Sequence, residues 1–133
     1  MNVVIDTSAI VAIIRAEHDA ADHARIIGRS AARMVSAGAY LEAGLVFSRD
    51  KRETDAFLRL IEYSEVEIVA VSAEQAEVGR LAYFRYGRGS GHPARLNLGD
   101  CFSYALARTR RLPLLFKGDD FVHTDAEPAL RLA

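Results

Sequence analysis

Hydrophobic residues along the chain form short apolar runs that alternate with longer segments of helical periodicity. The runs NVVID, RMVS, VEIVAV and LPLLF are rich in β-branched or large apolar residues and predict four short strands. Between them, apolar positions recur at helical spacing, as in ETDAFLRLIEYSE. Strands that alternate with helices are typical of a parallel sheet covered on both faces. The pattern predicts an α/β fold: a three-layer α/β/α sandwich with a short central parallel sheet.

Small polar residues mark where the predicted helices begin. Thr7 or Ser8 can cap a helix directly after the first strand, and Ser36 and Ser72 stand directly before two later helical segments. Glycine and proline in YGRGSGHPAR predict a loop, whereas TDAE near the end of the chain predicts a short final helix.

The composition is that of an ordinary globular protein, half hydrophobic and about a quarter charged. No apolar run reaches the roughly 18 residues that span a bilayer, and the N-terminus lacks a signal-peptide pattern, so no membrane contact is expected. The single cysteine, Cys101, excludes an intrachain disulfide and fits a reducing compartment. We therefore expect a cytoplasmic protein in which residues 1–133 form a single domain.

Acidic residues stand in apolar surroundings at four places. Asp6 ends the first strand, Glu42 lies within AGAYLEAGLVF, Asp100 begins the helix NLGDCFSYALA, and Asp119 and Asp120 follow the last strand. Each has a structural alternative, because strand-end and helix-start acids can act as caps, a helical Glu can face solvent, and paired Asp residues can form a turn. In a doubly wound sheet, however, all four places can also converge on one edge.

Carboxylates brought together repel one another, and this repulsion raises their pKa values unless a cation is bound. Oxygen ligands of this kind select Mg²⁺ or Mn²⁺. Such an ion can lower the pKa of a bound water and stabilise charge during displacement at phosphorus. The acids therefore indicate a metal-dependent phosphodiester-cleaving site.

The basic residues favour a polyanionic substrate. Seven arginines but only one acid, Asp100, lie between residues 80 and 111, and aromatic residues are interleaved with them. Arginine pairs with phosphate through a planar fork and stacks on flat rings, as proteins that bind single-stranded RNA require. Without the five candidate acids the net charge of −1 would become +4. The alternative is that this stretch is merely a solvated helix face and a loop.

The same residues resemble the motifs of PIN-domain ribonucleases, and more narrowly of toxins of the VapBC toxin–antitoxin type. VVIDTSAIVAII resembles the family's opening strand with its first acidic ligand, and SAGAYLEAGLV, LNLGDCFSYALA and LPLLFKGDDFVHTD resemble its later blocks. The resemblance covers essentially the whole chain. It implies Mg²⁺-dependent endoribonuclease activity, with Mn²⁺ as a possible substitute, and an RNA substrate. It also implies a VapB-type antitoxin that inserts into the active site, and a homodimer.

The resemblance further implies a role for each candidate residue. The expected metal ligands and catalytic acids are Asp6, Asp100, Glu42 and either Asp119 or Asp120, with a slight preference for Asp119. Thr7 or Ser8 is expected to orient a water or a ligand oxygen, and Arg88 and Arg95 to contact the RNA backbone. Lys117 stands where other PIN domains often have Thr or Ser.

Two other functions remain open. An aspartyl-phosphate phosphatase or phosphotransferase also has an Asp at the end of its first strand, but that chemistry requires a second Asp two residues later, where this chain has Ser8. A non-catalytic protein-binding module of the same fold would use the acids only as caps. Whichever function holds, the apolar helices YLEAGLVF and FLRLIEY are candidates for a dimer interface.

Overall fold

The computed structural model describes residues 1–131 and contains a four-stranded, fully parallel sheet within them. Its strands are β1 (Asn2–Ile5), β2 (Ala32–Ser36), β3 (Glu67–Val69) and β4 (Leu114–Leu115). The strand order is β3-β2-β1-β4, so β1 is hydrogen-bonded on both sides. The apolar residues of β1 are buried on both faces, which explains why its sequence is uniformly apolar rather than alternating.

Helices cover both faces of the sheet. They are α1 (Thr7–Ile14), α2 (Ala20–Arg29), α3 (Ala37–Phe47), α4 (Lys51–Tyr63), α5 (Ala73–Tyr86) and α6 (Leu98–Arg110). Successive residues of β1 belong to two separate cores, with Val4 packed on the α5–α6 side and Val3 and Ile5 on the α1–α4 side. The predicted three-layer α/β fold is thereby confirmed. None of the helices in residues 1–131 is both long and apolar enough to cross a membrane.

The helix starts agree with the sequence except at α1. Ser36 caps α3 and Ser72 caps α5, as predicted. Asp6 caps α1, so the capping alternative for Asp6 is confirmed and the prediction of Thr7 or Ser8 as the cap is wrong. Asp6 is the last residue with an extended backbone, with φ −83° and ψ 156°. Its side chain accepts the free amide of Ser8 in the first turn of the helix, which is the contact that defines the cap.

The predicted final helix at TDAE is also wrong. A short 3₁₀ helix forms earlier, at Phe121–His123, and the chain that follows to residue 131 has no α-helix. Leu114 instead donates its amide to the carbonyl of Glu127 at 2.8 Å and accepts from the amide of Ala129 at 2.9 Å. These hydrogen bonds cover the free edge of β4, and they occupy backbone groups that a helix would need.

Candidate active site

Four acidic residues lie at the carboxyl edge of the sheet, near enough for three of them to affect the pKa of the fourth. Asp6 follows β1, Glu42 lies on α3 directly after β2, Asp100 lies in the first turn of α6, and Asp120 follows β4. Burial raises the pKa of Asp100 to about 7, and the negative charges of Asp6, Asp120 and Glu42 add to the increase. Residues that are far apart in sequence therefore form one electrostatic unit.

Asp6 is the most buried member of this group, with 3% of its surface exposed. Its Oδ2 accepts hydrogen bonds from the Ser8 amide at 3.0 Å and from the Ser8 hydroxyl at 2.6 Å. Burial nevertheless raises the pKa of Asp6, because these hydrogen bonds only partly offset the loss of solvation. The buried Ser103 hydroxyl lies beside the same carboxylate and lowers its pKa, although it makes no well-formed hydrogen bond within residues 1–131. Asp6 thus acts both as a helix cap and as a member of the acid cluster.

Glu42 is placed by a glycine that the sequence analysis did not single out. Its carboxylate packs so closely on Gly99 that a Cβ atom at that position would overlap Glu42 Oε2. Gly99 immediately precedes Asp100, whose own carboxylate accepts the Asn97 amide at 3.0 Å in a capping box. The capping alternative for Asp100 is therefore confirmed, and it holds the residue where it faces the other acids.

The two candidates after β4 differ in their surroundings, although both are exposed. Asp120 is the one whose charge contributes to the raised pKa of Asp100. Asp119 instead lines a separate recess beside Lys117 and His23. The geometry consequently favours Asp120, not Asp119, as the acid that faces the cluster.

The remaining predicted site residues lie in three different environments. The Thr7 hydroxyl is buried and donates to the carbonyl of Ala39 at 3.1 Å, so it joins α1 to α3 instead of facing a substrate. Ser8 contacts Asp6 and also accepts the Lys117 amide at 2.9 Å. Arg88 and Arg95 are exposed on the loop before α6. The contact between Ser8 and Lys117 has no signal in the sequence, because the two residues are far apart along the chain and meet only where the end of β4 lies beside the start of α1.

The donor set fits a divalent cation that retains part of its water shell. No three His, Cys, Asp or Glu side chains in residues 1–131 are close enough to enclose a metal ion by themselves. Mg²⁺ does not require such an enclosure, since it commonly binds through one or two carboxylates, waters and substrate phosphate. The donors are all carboxylate oxygens. Burial is the main cause of the raised pKa of Asp100, and the repulsion from neighbouring acids that adds to it is what a cation would relieve.

Comparisons with known proteins identify the family of the chain. The family model described as PIN domain matches residues 3–127. Ribonuclease VapC28 of Mycobacterium tuberculosis is 50% identical over 129 residues, which cover 96% of this chain and 97% of the relative.

Two solved structures share the fold. The crystal structure of Mycobacterium tuberculosis VapC20, a sarcin-ricin loop cleaving toxin, has a TM-score of 0.71 at 19% identity and covers 90% of this chain and 92% of that one. A toxin–antitoxin complex from Klebsiella pneumoniae has a TM-score of 0.72 at 17% identity, with 98% and 99% covered. Because the family model spans nearly the whole chain and a VapC protein is half identical to it, the chain belongs to the PIN-domain family and groups with the VapC proteins.

Proposed function

We propose that this protein is a metal-dependent endoribonuclease, which hydrolyses RNA phosphodiester bonds as the toxic component of a type II toxin–antitoxin pair. The observation that carries the proposal is the meeting of Asp6, Glu42, Asp100 and Asp120 at one edge of the sheet. The name of the half-identical relative, a ribonuclease, supports the same reaction. An activity on cellular RNA would place the protein in the cytoplasm.

In this proposal Asp6 and Asp100 are the principal ligands of Mg²⁺ or Mn²⁺, and Glu42 and Asp120 complete the site directly or through water. The bound cation would supply a water of lowered pKa and stabilise the charge that develops at phosphorus. Both hydrogen bonds from Ser8 to the Asp6 carboxylate go to Oδ2, and Oδ1 is the oxygen that we assign to the cation. Asp119 is the weaker candidate for the fourth acid.

RNA would be held by side chains outside the acid cluster. Arg88 and Arg95 are exposed on the loop that leads into α6, and therefore into Asp100. Guanidinium groups at this position can bind backbone phosphates on either side of the cleaved bond. Thr7 supports the site by fixing α1 to α3. Helix α1 begins directly after Asp6, and α3 carries Glu42.

Protein partners are part of the same proposal. Leu41 and Leu45 on α3 and Leu58 and Tyr63 on α4 are exposed, and large apolar side chains gathered on neighbouring helices are typical of protein interfaces. We assign this surface to a homodimer. A VapB-type antitoxin would bind over the acid cluster, in keeping with the toxin–antitoxin complex that shares the fold.

The direct test is cleavage of single-stranded and structured RNA by the purified protein with Mg²⁺, with EDTA, and by Asp6→Asn. We expect cleavage only by the wild-type protein with metal. Lys51→Met is a suitable control, because the Lys51 side chain is 87% exposed on α4 and, within residues 1–131, forms an ion pair only with Asp55. Cleavage that is unaffected by both EDTA and Asp6→Asn would reject the proposal.

The two alternatives make different predictions. A phosphotransferase would release a burst of product from a small phosphoester, but the place of its second Asp is occupied by Ser8, whose hydroxyl is already bound to Asp6. A non-catalytic module would not bind metal, so millimolar Mn²⁺ would leave its melting temperature unchanged. A rise in melting temperature that disappears in Asp6→Asn would exclude the module.

A further inference from the structure

Lys117, at the end of β4, makes contacts through both its side chain and its backbone. The side chain binds the loop between α1 and α2, and the backbone amide binds the start of α1. Its ammonium group binds Glu17 at 3.3 Å and Asp19 at 3.1 Å. Its backbone amide donates to Ser8 Oγ at 2.9 Å. Lys117 therefore fixes the position of its own backbone amide relative to the start of α1.

The acidic side of this contact is itself held in place. Asp19 Oδ2 lies 3.1 Å from Nε2 of His23, a residue of α2 that is almost completely buried. Although partial burial opposes ionisation, the hydrogen bonds from Lys117 and His23 keep the pKa of Asp19 below its usual value. The Lys117 ammonium is thus engaged by two anions, which makes it a poor candidate for a direct phosphate contact.

The Ser8 hydroxyl is held between the Lys117 amide and the Asp6 carboxylate. A serine hydroxyl can donate one hydrogen bond and accept others. Ser8 Oγ accepts from the Lys117 amide and donates its hydrogen to Asp6 Oδ2, which lies 2.6 Å away, so the two contacts together fix the hydroxyl. The hydrogen bond to Asp6 and the one from the Ser8 amide both go to Oδ2, so Ser8 fixes the rotation of the Asp6 carboxylate.

We propose that Lys117 is a positioning residue of the active site, which orients Asp6 for metal binding through Ser8 while its ammonium is anchored by Glu17 and Asp19. The inference rests on the proposed metal-dependent nuclease function and deepens it. Lys117 itself touches neither metal nor RNA. It occupies the place where other PIN domains often have a hydroxyl residue, and it acts there through its backbone and its anchored side chain.

The test compares Lys117→Met, Lys117→Arg and the control Lys51→Met in the full-length protein. For each variant we would measure Mn²⁺ affinity by calorimetry, and kcat and KM on an RNA substrate. Outer contacts of metal ligands typically contribute roughly 10- to 100-fold to affinity or activity. We expect Lys117→Met to lose about 10-fold in Mn²⁺ affinity and in kcat with KM for RNA nearly unchanged. Lys117→Arg should restore most of the loss, and Lys51→Met should behave as wild type.

A double-mutant cycle with Ser8 shows whether Lys117→Met acts by misplacing Asp6 or by destabilising the whole protein. In the Ser8→Ala background, Lys117→Met should cost little further Mn²⁺ affinity, because the route to Asp6 is already broken. Full additivity would overturn the inference, as would a Lys117→Met variant that raises KM while Mn²⁺ affinity stays constant. If Lys117→Met does not fold, Asp19→Asn provides the same test. It removes the negative charge of one of the two partners of the Lys117 ammonium and leaves the lysine itself in place.

Failure of the inference is distinguishable from failure of the proposed function. If wild type cleaves RNA and binds Mn²⁺ while Lys117→Met and Asp19→Asn match it in both, the inference alone is wrong. If wild type itself neither binds Mn²⁺ nor cleaves RNA, the nuclease proposal is wrong and the inference falls with it.

Discussion

The carboxylate of Glu42 rests on the backbone of Gly99, the residue immediately before Asp100. This contact brings an acid of α3 against the first turn of α6, and a Cβ atom at position 99 would force the Glu42 carboxylate to move. Because that carboxylate is the end of a flexible side chain, the fold can accommodate the movement. Gly99 therefore matters for the position of Glu42 more than for the fold.

Gly99→Ala is expected to disturb the acid cluster more than the fold. The added methyl group must displace the Glu42 carboxylate, and misplacement by about 1 Å can cost roughly 100-fold in rate. We expect RNA cleavage to fall by at least about 10-fold while the circular dichroism spectrum is retained.

A matched control is available in Gly28→Ala. Gly28 is an exposed glycine inside α2 where an added Cβ would meet nothing within 4 Å. This variant should leave cleavage unchanged and stabilise the protein by about 0.5–1 kcal/mol through improved helix propensity. Equal activity of the two variants would show that the contact between Glu42 and Gly99 is unimportant for the reaction.

Asp119→Asn and Asp120→Asn distinguish the two candidates for the fourth acid. Because the charge of Asp120, unlike that of its neighbour Asp119, is among those that raise the pKa of Asp100, Asp120→Asn should lower that pKa and weaken Mn²⁺ binding by about 10-fold. Asp119→Asn should change Mn²⁺ affinity by less than about twofold. Calorimetric titration of the two variants with Mn²⁺ checks this, and the reverse order would restore Asp119 as the ligand.

The sequence was sufficient to predict the layers of the fold because its signals are local. The apolar run around Val4 and the caps Ser36 and Ser72 act within a few residues, so their meaning survives in the folded protein. The same locality explains the capping box at Asn97. The error at TDAE arose because pairing with β4, which is distant in sequence, competed with helix formation.

The parts of the site that the sequence did not reveal depend on contacts between distant segments. Gly99 is informative only once α3 is known to pack on α6, and Lys117 only once β4 is known to end beside Ser8. The choice between Asp119 and Asp120 depends on the direction of a turn, since adjacent residues there point to different recesses. Residue type alone marked the acids, but not their orientation.

The proposed dimer surface is tested by Leu45→Lys. Leu45 is 65% exposed on α3, and a charge there would be buried without a partner in a dimer formed through this face. We expect the wild type to elute as a dimer and Leu45→Lys as a monomer in size-exclusion chromatography with light scattering. Leu81→Lys, at an exposed leucine of α5, is the matched control and should remain dimeric. Dissociation by Leu81→Lys alone would move the interface to α5.

The raised pKa of Asp100 makes the stability of the protein depend on pH. In the native state this pKa is about 7, whereas the ordinary value is 3.8. Between these two values the native protein holds a proton that the unfolded chain has released, so the free energy of unfolding decreases as pH rises. Without a divalent cation, the melting temperature should therefore fall between about pH 4 and about pH 7 because of this group.

Asp100→Asn isolates that contribution, because its amide oxygen can still accept the Asn97 amide in the capping box. Relative to wild type without metal, it should gain about 1–2 kcal/mol at about pH 8 and little at about pH 4, a range that allows for partial exposure of the carboxyl group. Mn²⁺ should stabilise wild type at the higher pH, where Asp100 is ionised, but not Asp100→Asn. Parallel melting curves for the two proteins across this range would contradict the assignment of Asp100 as the coupled acid.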